Sequence, residues 1–228
     1  MILLRRWITG WMVLITLLLM LAGCSFVPPS PDRDADVIVV GDSILAWHRG
    51  SGRSIPDAVE KATGLDVSNV SVSGARFLGA GNIPSQYVTG DWDWVIVDGG
   101  GNDLLPACGT PDATAILNAL ISPDGRSGAI PAFVNSAASG GIQVIVLGYY
   151  PVSDRGGPFQ PCISVLDELA KRQTRLAAAN PAVTFVDSGR VIGASDPASY
   201  APDLVHPSPR GAALVGQLVA SAMQRTTR

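Results

Sequence analysis

Two short motifs near opposite ends of the chain carry side chains suited to nucleophilic catalysis. Ser43 follows Gly41 and Asp42 directly after an apolar run, and His206 stands three residues after Asp203. A serine hydroxyl is a weak nucleophile at neutral pH and needs a neighbouring base, which a carboxylate can hold in the useful tautomer. An Asp-Ser pair after a strand is also an ordinary helix N-cap, so the first motif alone does not establish a nucleophile.

The only other histidine, His48, is a poorer candidate for the base. It follows Ser43 by five residues on the same predicted helix, about 500° of rotation away at about 100° per residue. We therefore expect His48 to face away from Ser43, at the surface or the rim of a pocket.

Two further loops contain glycine where a substrate could approach the backbone. Ser73-Gly74-Ala75 follows the second predicted strand, and the segment from Gly99 to Asp103, which contains Asn102, follows the third. Glycine permits the tight turns and close approach that such a site needs. Four loops in all thus carry groups that could act on one substrate.

Short apolar runs alternate with helical patterns along the chain. Runs that are apolar at every residue are typical of strands buried on both faces, and the long intervals between them allow the helical crossovers of a parallel sheet. The pattern predicts a three-layer α/β/α sandwich with a five-stranded parallel sheet in the flavodoxin-like order 2-1-3-4-5. The predicted strands are Val37 to Val40, Val67 to Val72, Trp94 to Val97, Val144 to Leu147 and Val183 to Val186.

Proline and glycine positions mark predicted helices between these strands. One helix runs from Pro56 to Thr63 before Gly64, a second from Pro111 to Ile121 after a Thr110 cap, and a third from Ile130 to Ala138. In parallel α/β sheets, ligands bind beyond the carboxyl ends of the strands, which is where all four loops are predicted to lie.

The four blocks, in this order on an α/β chain, resemble the signatures of the SGNH (GDSL-type) hydrolases, a family of serine esterases and lipases. The resemblance covers essentially all of residues 36–228, and Ile44 stands where many members have leucine. The matching blocks are Gly41 to Ser43, Gly74, Gly100 to Asp103 and Asp203 to His206.

The resemblance implies a serine hydrolase that needs no cofactor. Ser43 would be the nucleophile, His206 its general base and then acid, and Asp203 the residue that orients the imidazole. The oxyanion would be held by the backbone N–H groups of Ser43 and Gly74 and by the side-chain amide of Asn102.

The predicted strand order separates the nucleophile from its base. The first and fifth strands are three places apart, about 14 Å at about 4.8 Å per place. The segment from Ser188 to Pro207 has little periodicity, and we expect it to form the long loop that brings His206 across to Ser43.

Other site chemistries are disfavoured. Asp42 and Asp103 could suggest a glycosidase carboxylate pair, but each lies in a tight turn where aspartate commonly caps backbone N–H groups. No His or Cys pair has metal-ligand spacing, and the glycine-rich stretch lacks the features of a phosphate loop. Four aromatic residues near the site loops could form an apolar or sugar-stacking wall, although core or rim packing is favoured; they are Trp47, Trp92, Tyr149 and Tyr150.

Residues 1–23 predict a lipoprotein signal peptide. Arg5 and Arg6 precede an apolar run from Trp7 to Ala22 that is short for a membrane span. The run ends in Leu21-Ala22-Gly23-Cys24, which resembles the bacterial lipobox, in which the cysteine is lipidated. An uncleaved anchor helix is the alternative. We expect an exported protein held at the membrane by Cys24, facing the periplasm or the cell exterior, with a proline-rich tether over residues 24–35 and a hydrolase domain over 36–228.

Composition excludes some partners and agrees with export. With 47% hydrophobic and 15% charged residues, the chain is globular rather than disordered. Its 16 basic and 19 acidic residues give a net charge of -3, which argues against a nucleic-acid partner. Cys108 and Cys162 follow neighbouring strands of the predicted sheet in a compartment that permits disulfides, so we expect them to be bridged.

These features together predict an exported, lipid-anchored serine hydrolase that cleaves a small-molecule or polysaccharide ester through an acyl-enzyme. Acetyl or short acyl esters of saccharides are the favoured substrates, and lysophospholipid or thioester acyl groups are the next choice. The alternative from another class is a lipoprotein that keeps the scaffold as a catalytically silent carbohydrate-binding or structural module.

Overall fold

The computed structural model describes residues 29–226 of the 228-residue chain. The predicted signal peptide and Cys24 lie outside these residues. Within residues 29–226, no helix is long and apolar enough to cross a membrane. The start of this part already packs on the domain, since the Asp32 N–H donates to Ser68 Oγ at 2.8 Å and Ala35 is buried.

A five-stranded sheet forms the centre of the domain, and its order is β2-β1-β3-β4-β5 with every pairing parallel, as predicted. The register aligns Val40, Val97 and Val146, so the loops that leave β1, β3 and β4 open at one edge. Every residue of β1 and β3 is buried, which explains why both runs are apolar throughout. The strands are β1 (Val37–Val40), β2 (Val67–Asn69), β3 (Trp94–Val97), β4 (Gln143–Gly148) and β5 (Val183–Asp187).

Helices cover both faces of the sheet and complete the predicted three-layer sandwich. They are α1 (Ser43–Ala46), α2 (Ile55–Thr63), α3 (Gly101–Leu104), α4 (Asp112–Leu120), α5 (Ala129–Ala138), α6 (Ile163–Ala179) and α7 (Pro209–Thr226). Alternate strand residues point to opposite faces. Ile38 and Val40 therefore join the core under α4, α5 and α6, whereas Val37 and Val39 join the core under α2 and α7.

Two predicted element boundaries are wrong. Helix α4 begins at Asp112 without a Thr110 cap, because the Thr110 hydroxyl donates to Ala107 O at 2.8 Å and closes the preceding turn instead. Strand β2 ends at Asn69 rather than at Val72, since Asn69 Oδ1 accepts the N–H of Ser71 at 3.2 Å and turns the chain.

The predicted disulfide between Cys108 and Cys162 is present, with the two Cα atoms 4.8 Å apart. It joins the segment that follows α3 to the residue that precedes α6. Closing a loop with a sequence separation of 54 residues is worth about 4 kcal/mol in the chain-entropy model. The bond therefore fixes these two segments of the chain against each other.

Candidate active site

Ser43 stands in the first turn of α1, directly beyond the carboxyl end of β1. The preceding Asp42 caps this helix, because its Oδ1 accepts the Ile44 N–H at 2.9 Å. The backbone N–H of Asp42 in turn donates to Asp98 Oδ1 at 2.8 Å. The capping role predicted for Asp42 is confirmed, and the turn holds Ser43 half-buried at the edge of a cavity.

Gln86 anchors the nucleophile turn, and sequence reasoning missed it. Its buried side chain accepts the Gly41 N–H at 2.8 Å and donates to Gly41 O at 2.9 Å. A Cβ at Gly41 would overlap the Asp98 carboxyl, so only glycine fits between these side chains. Gln86 is a lone glutamine at the end of a short 3-10 turn, Ile83–Gln86, and no sequence pattern indicates this role.

The predicted base and its orienting carboxylate are in contact. His206 Nδ1 lies 2.6 Å from Asp203 Oδ2, while Asp203 Oδ1 accepts the N–H groups of Val205 and His206, each at 3.0 Å. Leu204 has a φ of 61°, a left-handed conformation that is rare for leucine and turns Asp203 back onto the ring. Partial burial raises the pKa of Asp203, but the hydrogen bonds from His206 and Val205 outweigh it and keep this pKa below its ordinary value. Asp203 therefore stays ionised beside the imidazole.

Aromatic and backbone contacts hold the other sides of the His206 segment. Trp47 stacks on the His206 ring with centroids 3.8 Å apart and an angle of 6° between the planes. The helix assumed for His48 is shorter than predicted, because α1 ends at Ala46 and His48 adopts a left-handed φ of 66°. His48 is half-buried and does not line the cavity that Ser43 borders, in agreement with the prediction that it faces away from Ser43. Its Nε2 lies 3.2 Å from Pro207 O, next to the base.

The segment from Ser188 to Pro207 makes the predicted reach, but it is not structureless. It contains two short 3-10 turns, Ser188–Arg190 and Pro197–Ser199, and a β-bridge joins Tyr200 to Pro207. The Tyr150 hydroxyl also donates to Val205 O at 2.7 Å. Sequence periodicity could not detect this order, because tertiary contacts rather than repeated local hydrogen bonds maintain it.

The loops after β2 and β3 bring the predicted oxyanion donors together. Gly74 has a φ of 78°, and both Gly74 and Asn102 line the same cavity as Ser43. The Asn102 amide donates to Ala75 O at 3.0 Å and lies 3.5 Å from Asp42 Oδ2. As predicted, Asp103 is structural and locks the two loops together. Its oxygens accept the N–H groups of Phe77 and Leu78, each at 2.9 Å.

Tyr149 links the nucleophile turn to the oxyanion loop. Its hydroxyl donates to Asp42 Oδ2 at 2.6 Å and accepts the Gly101 N–H at 3.0 Å. Burial and the charges of Asp42 and Asp98 raise the pKa of Tyr149 well above its ordinary value, so the hydroxyl keeps its proton. This connection was not predicted, because the Tyr-Tyr-Pro segment has no spacing that distinguishes a bridging hydroxyl from a packed ring.

Asp42 and Asp98 are neighbouring buried carboxyl groups, joined by the Asp42 N–H that donates to Asp98 Oδ1. Burial and the neighbouring Asp42 charge raise the pKa of Asp98 well above its ordinary value. Burial also raises the pKa of Asp42, although hydrogen bonds from Tyr149 and Ile44 limit the rise. Within residues 29–226, Asp98 Oδ2 is the only buried side-chain oxygen or nitrogen without a hydrogen-bond partner, so no donor stabilises a negative charge on that oxygen.

Asp98→Asn should make the protein more stable than wild type to a degree that increases between pH 4 and pH 7. Above about pH 4 an unfolded aspartate has released its proton, whereas folded Asp98 still holds it, so wild-type stability falls as pH rises. The slope is about 1.4 kcal/mol per pH unit up to the raised pKa, and a neutral amide removes it. Tm against pH measures this effect, with exposed Asp167→Asn as the control. A Tm difference that stays constant with pH would contradict the raised pKa of Asp98.

Asn102→Ala should lower kcat by about 100- to 1000-fold with little change in KM, because an oxyanion donor acts mainly in the transition state. Loss of the bond to Ala75 should cost only about 1 kcal/mol of stability. Steady-state kinetics and Tm on one ester separate the two effects. Asn135→Ala, at an exposed amide on α5, is the matched control. A kcat within threefold of wild type would remove Asn102 from the site.

Ser43 and His206 border one cavity of about 590 Å³, and no hydrogen bond joins their side chains in the part of the chain described. Such bonds often tighten only when substrate binds. Trp47, Tyr149 and Tyr150 also line this cavity, whereas Trp92 is buried elsewhere in the core. Six apolar residues also line this cavity, and we call them the apolar wall. They are Val152, Pro158, Phe159, Leu166, Leu204 and Val205, of which the last two belong to the Asp203–His206 turn.

Residues 29–226 contain no cluster of His, Cys, Asp and Glu that could hold a metal ion. The groups that do meet at the cavity are a serine hydroxyl, an imidazole with a carboxylate behind it, and amide donors across the cavity. Such a set can activate the serine as a nucleophile and stabilise the oxyanion that its attack creates.

Solved structures with similar folds come from several bacteria and a fungus. A member of the lipolytic G-D-S-L family from Veillonella parvula has a TM-score of 0.63 at 17% identity, covering 83% of this chain and 98% of its own. A carbohydrate acetylesterase from Sinorhizobium meliloti has a TM-score of 0.60 at 17% identity, covering 83% of this chain and 98% of its own. A carbohydrate esterase family 2 enzyme with a carbohydrate-binding domain, from Corynascus thermopiles, has a TM-score of 0.57 at 18% identity, covering 88% of this chain and 69% of its own. At these identities the likeness supports the fold.

Comparison of the sequence itself identifies the family. No curated protein matches the chain. The model of the GDSL-like lipase/acylhydrolase family matches residues 39–214, from β1 into α7. Since this match takes in all four loops that border the cavity and well over half of the chain, the protein belongs to the GDSL-like lipase/acylhydrolase family and is an SGNH-type carboxylic ester hydrolase.

Proposed function

We propose that this hydrolase is an exported, lipid-anchored serine esterase that cleaves carboxylic esters of saccharides through an acyl-enzyme on Ser43. The observation that carries the proposal is the 2.6 Å contact between His206 and Asp203 at a cavity that Ser43 also borders. These groups are intact and oriented, which favours an enzyme over a catalytically silent module on the same scaffold.

The arrangement of these groups supports the following sequence of steps. His206 Nε2 accepts the proton of Ser43 Oγ as that oxygen attacks the ester carbonyl, and ionised Asp203 stabilises the imidazolium. The backbone N–H groups of Ser43 and Gly74 and the Asn102 amide stabilise the developing oxyanion. His206 then returns the proton to the leaving alcohol. Water, activated by the same imidazole, attacks the acyl carbonyl and releases the acid and free Ser43.

The point of attachment supports a substrate beyond the anchoring membrane. Asp36 N–H donates to Asp66 O, and Arg33 donates to Thr89 O, so the start of the domain lies beside the residues that precede β2 and β3. Ser43 lies beyond the opposite, carboxyl edge of the sheet. A tether from Cys24 would then direct the site toward the cell envelope polymers rather than toward the bilayer.

Two of the similar structures support a saccharide ester as the substrate. Two of them are described as a carbohydrate acetylesterase and a carbohydrate esterase. Trp47 also presents a ring at the cavity, a surface of the kind on which sugars stack. The second candidate is a lysophospholipase or thioesterase, which the apolar wall favours.

Hydrolysis of acylated saccharides and acyl lipids by the purified full chain tests this function. Acylated glucose, acetylated xylan and peptidoglycan are compared with lysophosphatidylcholine and acyl-coenzyme A, each against Ser43→Ala as background. Faster release of acid from the saccharide esters supports the proposal. Faster release from the lysolipid or the thioester would replace it with the second candidate.

The anchor has its own test. Cys24→Ala should abolish lipidation and leave the precursor uncleaved by the lipoprotein peptidase. Membrane fractionation and the intact mass of the protein measure both effects. Absence of a diacylglyceryl mass on the wild-type amino-terminal peptide would refute the anchor without affecting the esterase.

A further inference from the structure

The side-chain amide of Asn102 has two hydrogens, and the protein offers an acceptor to each of them. One hydrogen donates to Ala75 O, with 3.0 Å between nitrogen and oxygen. The other has Asp42 Oδ2 within reach, at 3.5 Å from the same nitrogen. Asn102 can therefore donate to the oxyanion of a substrate only if its second hydrogen is not bound to Asp42.

Tyr149 competes with Asn102 for this carboxylate oxygen. Its hydroxyl donates to Asp42 Oδ2 at 2.6 Å, the distance of a strong hydrogen bond to a carboxylate. The Asn102 contact with the same oxygen, at 3.5 Å, is too long for a strong bond. Asp42 is 2% exposed, so this oxygen depends on donors that the protein supplies.

We propose that Tyr149 is a positioning residue that occupies Asp42 Oδ2 and thereby keeps the second Asn102 hydrogen free for the oxyanion, which rests on the oxyanion role that the proposed function gives to Asn102. Tyr149 acts through Asn102 and takes no part in the proton transfers of Ser43 and His206. Its contribution therefore exists mainly in the transition state, where the oxyanion forms.

The direction of the Tyr149 hydrogen bond is fixed. A tyrosine hydroxyl carries a single hydrogen, and its oxygen already accepts the Gly101 N–H at 3.0 Å. Burial and the charges of Asp42 and Asp98 raise the pKa of Tyr149 well above its ordinary value, so the hydrogen stays on the hydroxyl at neutral pH. The hydroxyl thus donates to Asp42 and holds the residue that precedes Asn102 at the same time.

Close packing against Gly101 holds the Tyr149 hydroxyl at this place. A Cβ at Gly101 would lie 3.1 Å from both Cζ and Oη of Tyr149, which is tighter than an ordinary contact. Gly101 is the first residue of α3 and does not have a positive φ, so alanine could adopt its backbone conformation. Glycine therefore provides room for the Tyr149 ring at this position.

Tyr149→Phe removes the hydroxyl and keeps the ring. Asp42 Oδ2 then loses its nearest donor, and we expect Asn102 to move toward it and away from the oxyanion. On a p-nitrophenyl ester that the wild type cleaves, kcat should fall about 10- to 100-fold while KM stays within about threefold. Tyr87→Phe is the matched control with kcat within about threefold, because Tyr87 is half-buried and does not line the cavity.

Combination with Asn102→Ala separates positioning from support of the fold. If Tyr149 acts through Asn102, Tyr149→Phe should lower kcat by less than about threefold once Asn102 is alanine. A residue that only supports the fold would lower kcat by the same factor in both backgrounds. Loss of two hydrogen bonds should also lower Tm, so all four proteins are assayed at a temperature at which circular dichroism shows them folded.

Gly101→Ala is the second variant, and it serves if Tyr149→Phe does not fold. It displaces the Tyr149 ring but keeps the hydroxyl. Its kcat should fall at least about threefold in the wild type and by a smaller factor in the Asn102→Ala background.

The results separate this role of Tyr149 from the proposed function. Equal losses in the two backgrounds, or a kcat of Tyr149→Phe within threefold of wild type, would overturn the positioning role and leave the oxyanion role of Asn102 standing. A kcat of Asn102→Ala within threefold of wild type would overturn both roles. A wild type that cleaves no ester and takes up no fluorophosphonate would overturn the esterase and, with it, the task of Tyr149.

Discussion

Ser43→Ala should lower kcat on any ester by about 10⁶-fold and leave the fold intact. Removing the nucleophile from a serine hydrolase costs about as much as removing the whole triad, because its members act as a unit. A residual acceleration over water of about 10³-fold should persist, since the Gly74 and Asn102 donors still stabilise the oxyanion. Active-site titration must accompany the kinetics, because trace wild-type enzyme would mask so large a loss.

Ser73→Ala is the matched control for this substitution. Ser73 also lines the cavity, but it belongs to the loop after β2 and no step depends on its hydroxyl. We expect its kcat to stay within about threefold of wild type. If Ser73→Ala were the inactive variant and Ser43→Ala the active one, the assignment of the nucleophile would be wrong.

Asp203→Asn should lower kcat by about 10⁴-fold with an almost unchanged Tm. The amide oxygen of the variant can still accept the N–H groups of Val205 and His206, as Asp203 Oδ1 does in the wild type, so the turn should survive. The amide nitrogen would, however, donate toward His206 Nδ1, where the carboxylate oxygen lies at 2.6 Å in the wild type. The proton of the neutral ring then resides on Nε2, which can no longer act as a base.

Kinetics of this variant between pH 6 and pH 9, with Tm in the same buffers, separate orientation from stability. The exposed Asp167→Asn change on α6 controls for the loss of a surface charge. A kcat within tenfold of wild type would mean that the Trp47 stack and the backbone alone orient His206. A large fall in Tm would mean that Asp203 acts mainly as a turn residue.

Local patterns were sufficient to predict the sheet and the loops that border the cavity. Strands β1 and β3 are apolar at every residue because helices cover both of their faces, so each stands out from the polar residues around it. Since parallel strands present their carboxyl ends at one edge, the positions of Ser43, Gly74 and Asn102 followed from chain order alone.

Contacts between residues distant in sequence could not be predicted in the same way. Gln86 and Tyr149 hold the nucleophile turn from 45 and 107 residues away, through side-chain hydrogen bonds that have no periodicity in the sequence. The helix that was predicted to carry His48 is too long for a local reason. The helix after Ser43 ends after four residues, so the rotation assumed for a continuing helix does not apply. The half-buried apolar wall likewise arises only when three segments meet.

Peptide mapping after reaction with a fluorophosphonate identifies the nucleophile, since the reagent forms a stable bond with an activated serine oxygen and does so only when a base and an oxyanion site assist. We expect one adduct per chain, on the peptide that contains Ser43, and its loss in His206→Ala. An adduct on another residue, or a folded wild-type protein that takes up no reagent while it hydrolyses esters, would contradict the role of Ser43 as the nucleophile.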